Sequence, residues 1–188
     1  MGIEARLKEL GITLPPVPRV AAYPSFVPGV LVGETLYLSG TLGRIGDELP
    51  YRGKVGAELT VEQASQSARL CALCHLAQAK AVLGDLDRIV RVVSLWGFVN
   101  GAPGFKQAPA VLNGASDLFI QVFGPERGRH ARASLNTPEL IYDAPVETIA
   151  IFQVRPAALK RSSARRRAPA PSRSQKPKPG SRGIRRRT

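Results

Sequence analysis

The clearest pattern along the chain begins at Thr60. Val61, Ala64, Ala68, Ala72, Leu76, Ala79 and Leu83 recur at helical spacing, while Glu62, Gln66, Arg69 and Lys80 fall on the opposite side. Thr60 with Gln63 forms a capping box, which pairs amides that the first turn leaves unbonded, and Gly84 suits the position just past the helix. Residues 88–99, RIVRVVSLWGFV, have the β-branched content of a strand. Residues 26–40 read as two strands joined at Gly33-Glu34, a hairpin, and glycines from 43 to 57 mark a long loop. A second helix is predicted from about 106 to 123, ending at Gly124, with two more strands around 131–136 and 145–154. Ile3, Leu7 and Leu10 share one helical face before Gly11, so a short amphipathic helix is expected there, and the prolines of LPPVPRV interrupt structure after it. The order β-β-α-β-α-β-β favours an α+β domain, one mixed sheet with two helices packed on one face.

Charge changes the picture only at the C-terminus. The formal charge is +13, yet residues 1–154 hold 14 basic and 14 acidic side chains. Residues 155–188 hold 13 basic and no acidic ones, in a run rich in Arg, Lys, Pro and Ser. Three parts are therefore expected: a helix and Pro-rich linker over 1–18, a domain over 19–154, and a disordered basic tail over 155–188. Such a tail binds nucleic acid or an anionic surface weakly and with steep salt dependence, if it binds at all. No apolar run approaches the ~20 residues that span a bilayer. Glu4 and Glu9 stand where a signal peptide needs apolar residues, and Arg6 breaks the myristoylation pattern that Gly2 would begin. Two cysteines make no disulfide framework, so the cytoplasm is the expected compartment.

The stretch C-A-L-C-H, Cys71 to His75, matches the spacing of c-type haem attachment. It lies in the middle of the predicted helix, on or beside its apolar face, and Met1 is the single methionine, so core packing is the stronger reading. Neither a metal nor an organic cofactor is expected. His75 and His130 are the only histidines, no nucleophile triad is evident, and no phosphate loop of the GxxxxGK[ST] form occurs. Trp96 is expected in the core.

More chemistry is concentrated in residues 127–152, RGRHARASLNTPELIYDAPVETIAIF. Arg132 sits at what reads as the start of an interior strand, and Glu147 stands in the last strand. Two opposite charges on neighbouring strands make either a structural ion pair or a site. In a site, the guanidinium fork holds a substrate carboxylate and the glutamate handles water.

The segments GETLYLSG, GKVGAELTVEQASQSAR, GDLDRIVRVVSLWGFVN, VLNGASDLFIQVFG and HARAS…APVETIAIF together resemble the RidA/YjgF family, over residues 5–154. The fit is best to the branch named for endoribonuclease L-PSP and a chorismate-mutase-like fold. The resemblance implies that fold, a homotrimer with ligand sites in clefts between subunits, and hydrolysis of 2-imino or 2-enamino acids to 2-keto acids and ammonia. It implies that Arg132 grips the substrate carboxylate and that Glu147 is associated with the hydrolytic water. Asn113 would line the cleft, Ser39 and Gly40 match the Ser-Gly that ends the second strand, and Ser134 takes a position often held by Cys. Two positions depart from the pattern. Phe26 stands where imine deaminases carry a Tyr, and the usual Leu-Pro is here Leu140-Ile141.

Plainer readings accompany these. Ser39 and Gly40 suit a tight turn, Asn113 beside Gly114 suits a local cap or kink, and His130 reads best as a loop residue. Besides imine hydrolysis, two other functions fit: a trimer that binds a small metabolite without turnover, and RNA binding or cleavage. The apolar character of both the 60–83 helix and the 88–99 strand is consistent with assembly into trimers.

Overall fold

The computed structural model describes residues 2–17 and 25–156. Most of the expected tail and part of the Pro-rich linker lie outside them.

Helix α1 spans Ile3–Glu9, and Ile3 and Leu7 enter the main core. Strands β1 (Gly29–Val32) and β2 (Thr35–Leu38) form the expected hairpin, with Gly33 at φ 58° in its turn. A two-residue strand β3 (Thr41–Leu42), not foreseen from the sequence, follows at once. Helix α2 runs from Val61 to Leu83 with both arms of the Thr60/Gln63 capping box in place, worth about 1 kcal/mol. Its left-handed cap is Gly84, at φ 76°. Then come β4 (Ile89–Asn100), α3 (Ala108–Phe123), the single turn α4 (Pro125–Gly128), β5 (Ala131–Thr137) and β6 (Val146–Val154).

The strands form one mixed sheet in the order β1-β2-β6-β4-β5, with β3 also paired to β6. The β4–β5 pair is parallel, as a crossover through α3 requires, and the others are antiparallel. Helices α2 and α3 pack together on one face. There Leu36, Val92, Leu95, Val99, Ala150 and Phe152 of the sheet meet Leu76, Leu112, Phe119 and other helical side chains. A bare Gly114 lets the two helices approach: a Cβ there would collide with the Ser65 carbonyl oxygen. Gly114 thus serves close packing, and α3 runs through it without interruption.

The C-A-L-C-H stretch is core. Cys71 and Cys74 are buried free thiols directed at the carbonyl oxygens of Val146 and Arg44. His75 is fully buried, with Nδ1 3.1 Å from Gln78 Oε1 and Nε2 2.9 Å from Thr148 Oγ1. Burial lowers its pKa to about 4, so the ring is neutral in the folded protein at neutral pH. Among the described residues no cluster of three or more His, Cys, Asp or Glu is placed to hold a metal ion.

The other sheet face is open, and it corrects one expectation. Trp96 is not core: in register with Ile149 and Ala133, it points away from the helices and is 49% exposed. Val30, Val32, Tyr37, Leu135 and Ile149 are also exposed. The surplus apolar character of α2 has a different outcome, since Ala64, Ala68, Cys71, Ala72, Leu76 and Ala79 are all buried within the chain. No helix among the described residues is long and apolar enough to cross a membrane.

Candidate functional site

The residues singled out from the sequence fall into two groups. The first is built where β5 runs alongside α3. Arg132 sits opposite Leu95 of β4, on the helix-covered face, so its side chain reaches α3. Its Nη1 donates to Asn113 Oδ1 and to Ser116 Oγ, both at 3.0 Å, and its Nη2 donates to the Pro109 carbonyl oxygen at 3.3 Å. Asn113 and Ser116 are one helical turn apart, the spacing that presents two side chains to one guanidinium. Three of five N–H groups are thereby used; Nε–H and the second Nη2–H, which form one side of the planar fork, remain for a ligand. Ser134 lies two residues beyond Arg132 on the same face, opposite Gly97.

The surroundings of Arg132 also differ from expectation. Strand β5 ends the sheet, so Arg132 stands on an edge strand and not an interior one. His130 is in the short connection before β5 but is tied down. Its Nδ1 lies 2.7 Å from the Gly128 carbonyl oxygen and its Nε2 3.1 Å from Ser116 Oγ. Burial, with the nearby Arg132 charge, lowers its pKa against the opposing effect of the hydrogen bond to the Gly128 carbonyl.

The second group lies on the open face. Glu147 pairs with Phe98 of β4 on one side and Leu42 of β3 on the other. Gly40 is directly beside its carboxylate: a Cβ at 40 would lie 2.6 Å from Oε1. The Glu147 side chain has no hydrogen bond or ion pair to another described residue, and half-burial raises its pKa. Ser39 Oγ donates to the Val27 carbonyl oxygen at 2.6 Å, and its backbone N–H donates to that of Pro28 at 2.9 Å. Ser39 therefore clips the 27–28 segment, which follows the half-exposed Phe26, to the end of β2 beside Gly40.

A single chain does not bring the groups together. Strand β4 separates β5 from β6, and side chains alternate along a strand, so Arg132 and Glu147 project from opposite faces of the sheet. The ion pair considered from the sequence is absent; among the described residues the ion pairs are Arg6–Glu9 and Lys80–Glu4. Ser116 was not anticipated. The signal was its place three residues after Asn113.

This is a small open-sheet α+β protein with two separate clusters of candidate residues, one around Arg132 and one around Glu147. The family model described as YjgF/chorismate mutase-like, putative endoribonuclease matches residues 4–152, and the chain belongs to that family. Protein TCP17 of Trypanosoma cruzi is 43% identical over 154 residues, spanning 81% of this chain and 94% of its own length. The crystal structure of Atu1372 from Agrobacterium tumefaciens, a protein described as of unknown function, is 43% identical with a TM-score of 0.74, covering 81% of this chain and 92% of the other. A protein from Shewanella oneidensis described as a putative endoribonuclease is 32% identical with a TM-score of 0.76, covering 82% of this chain and all of the other.

Proposed function

We propose that the protein hydrolyses small reactive 2-imino or 2-enamino acids to 2-keto acids and ammonia, in clefts formed between copies of the chain. The observation that carries this reading is the state of Arg132. Three hydrogen bonds lay its guanidinium against α3 while one side of the fork still faces outward, a receptor for a carboxylate.

The proposed cleft pairs Arg132 of one copy with Glu147 of a neighbour, and the open apolar face around Trp96, Tyr37 and Ile149 supports such assembly as a homotrimer. Arg132 fixes the substrate carboxylate and thereby the adjacent carbon of the C=N group. Glu147, its pKa raised by burial, is a better base near neutrality than an ordinary glutamate and takes a proton from the attacking water. Water oxygen bonds to carbon as the C=N π electrons pass to nitrogen. Glu147 then returns its proton to that nitrogen, the hydroxyl oxygen forms C=O and gives up its proton to solvent, and the C–N bond breaks to release ammonia and the keto acid. A protonated imine is electrophilic enough to need no metal or organic cofactor. Asn113 and Ser134 line the Arg132 side, and Ser39, Gly40 and Phe26 the Glu147 side.

One observation favours a second reading, a binding protein without turnover: Phe26 lacks the hydroxyl that the resemblance leads one to expect. RNA cleavage finds less support, since residues 1–154 carry no net charge to attract phosphates. Both cleft readings take a small carboxylate ligand, and the cytoplasm is the compartment we propose.

Arg132→Lys tests the proposal. Lysine keeps the charge but loses the planar fork, at a cost of roughly 1.5–3 kcal/mol, or about 10- to 150-fold in imine hydrolysis. The melting temperature is expected to stay within a few degrees. Full activity with a collapsed melting temperature would mean that Arg132 holds the fold and the site is elsewhere.

A further inference from the structure

His130 and Ser116 have no part in the chemistry proposed above, yet they meet Arg132 in one chain of hydrogen bonds. The directions in that chain are fixed by what each atom can do. The Gly128 carbonyl oxygen can only accept, so His130 Nδ1, 2.7 Å away, carries a proton and donates it. In the neutral ring Nε2 is then an acceptor, and the Ser116 hydroxyl, 3.1 Å away, donates to it. Arg132 can only donate, so its Nη1 gives a hydrogen bond to the same Ser116 oxygen. Packing holds the imidazole as well: it meets the Phe119 ring edge-on at 5.7 Å, between α3, α4 and the start of β5.

We infer that Ser116 and His130 are positioning residues for Arg132, and that they set which side of its fork is offered to a substrate carboxylate. The inference rests on the reading of Arg132 as a carboxylate receptor. An arginine side chain has several rotatable bonds, and its guanidinium can offer a ligand more than one edge. Asn113 and Ser116 together occupy Nη1, which leaves the Nε/Nη2 edge for the ligand. Asn113 and the longer contact to the Pro109 carbonyl alone would leave a second Nη1 hydrogen unsatisfied and hold the plane less firmly. His130, as acceptor, takes up the hydroxyl hydrogen, so the Ser116 lone pairs face the guanidinium. A carboxylate bound on the favoured edge has a fixed direction, and so does the carbon attached to it.

The carboxylate contact is the same in the substrate complex and the transition state, so its weakening appears in KM more than in kcat. Ser116→Ala is expected to raise KM for a 2-imino acid roughly 5- to 10-fold, with kcat little changed, and Ser116→Thr, which keeps the hydroxyl, to recover most of the loss. His130→Phe, which keeps the ring packed on Phe119, is expected to raise KM by a smaller factor. An imine without a carboxylate is expected to be hydrolysed equally by wild type and Ser116→Ala. A merely structural role would instead lower the melting temperature and leave KM unchanged.

The same comparison is made by binding, with 2-oxobutanoate titrated into each full-length protein and followed by NMR. Wild type that binds without turnover would refute the deaminase reading; the affinity ratio of Ser116→Ala to wild type would then decide the positioning role. Equal affinities, or equal KM values, overturn it. Wild type that neither hydrolyses the imine nor binds the keto acid overturns both. Imidazole nitrogen shifts give an independent reading: His130 is expected as the Nδ1–H tautomer, and an Nε2–H tautomer refutes the hydrogen-bond chain.

Discussion

Arg132 and Glu147 are carried by strands that flank the same strand, β4, and they project from its two opposite faces, in register with Leu95 and Phe98. One chain therefore cannot apply both to one small substrate. If a cleft between copies joins them, each site takes its arginine from one protomer and its glutamate from the next.

That arrangement predicts complementation between inactive variants. Arg132→Lys and Glu147→Gln, unfolded and refolded together in equal amounts, form mixed trimers, each with one site that has both native residues. Random mixing predicts about a quarter of wild-type activity, from two proteins that each have little. The check is an imine hydrolysis assay on the co-refolded mixture against each variant refolded alone. A mixture no more active than its parts would place the chemistry within one chain or elsewhere.

Glu147 predicts opposite changes in stability and activity. Its folded pKa is raised above the ordinary value of 4.5, so the folded state favours the neutral acid. The resulting stability is present below pH 4.5 and is lost as pH rises through the raised value. Glu147→Gln, neutral at every pH, is therefore expected to melt higher than wild type at pH 7 while losing hydrolysis. The two melting curves are expected to converge in acid. A glutamine variant that melts lower at pH 7 would show that the carboxylate has a stabilising partner in the assembled protein.

His75 predicts the reverse slope. Its folded pKa is depressed from 6.5 to about 4, so its contribution is whole above 6.5 and lost as pH falls through 4. Over that window it is worth about 3 kcal/mol. The partly buried His130 acts in the same direction. His75→Leu is expected to be less stable at pH 7, because it leaves the side chains of Gln78 and Thr148 without their partner. It is also expected to lose less than wild type between pH 7 and pH 4.5. Denaturant titrations at the two pH values measure both effects, and equal pH losses would contradict the assignment.

Gly114→Ala is expected to cost roughly 1–3 kcal/mol, since the added methyl group has nowhere to go but into the Ser65 carbonyl. The strain displaces α3, which carries both Asn113 and Ser116, so activity is expected to fall along with the melting temperature. An alanine variant as stable as wild type would show that the helices separate at little cost.

Local chemistry made most of the elements readable in advance. The Thr60/Gln63 box, the left-handed Gly84 and the Gly33-Glu34 turn are set by neighbours within a few residues, and each is found where the sequence places it. Trp96 and Arg132 were misjudged because their surroundings depend on strand order. Strand β4 is apolar on both faces, with Leu95 and Val99 on one and Trp96 and Phe98 on the other, and periodicity does not reveal which face the helices cover. The sequence likewise shows two strands carrying opposite charges but not the strand that comes between them. The His130 contact was hidden for a similar reason, since Ser116 meets it across 14 residues through the fold of α3, α4 and β5.

Strand β5 has a further consequence for the chain before it meets any copy of itself. Its outer backbone groups have no strand beyond them among the described residues, and such an edge is a template on which stray chains pair into insoluble sheets. Charge on an edge strand discourages that pairing, and Arg132 is the charged residue that β5 carries. The same guanidinium is therefore expected to guard the newly made chain against precipitation, and a neutral substitution at position 132 is expected to lower the soluble yield, a loss that an activity assay on the surviving fraction would never register.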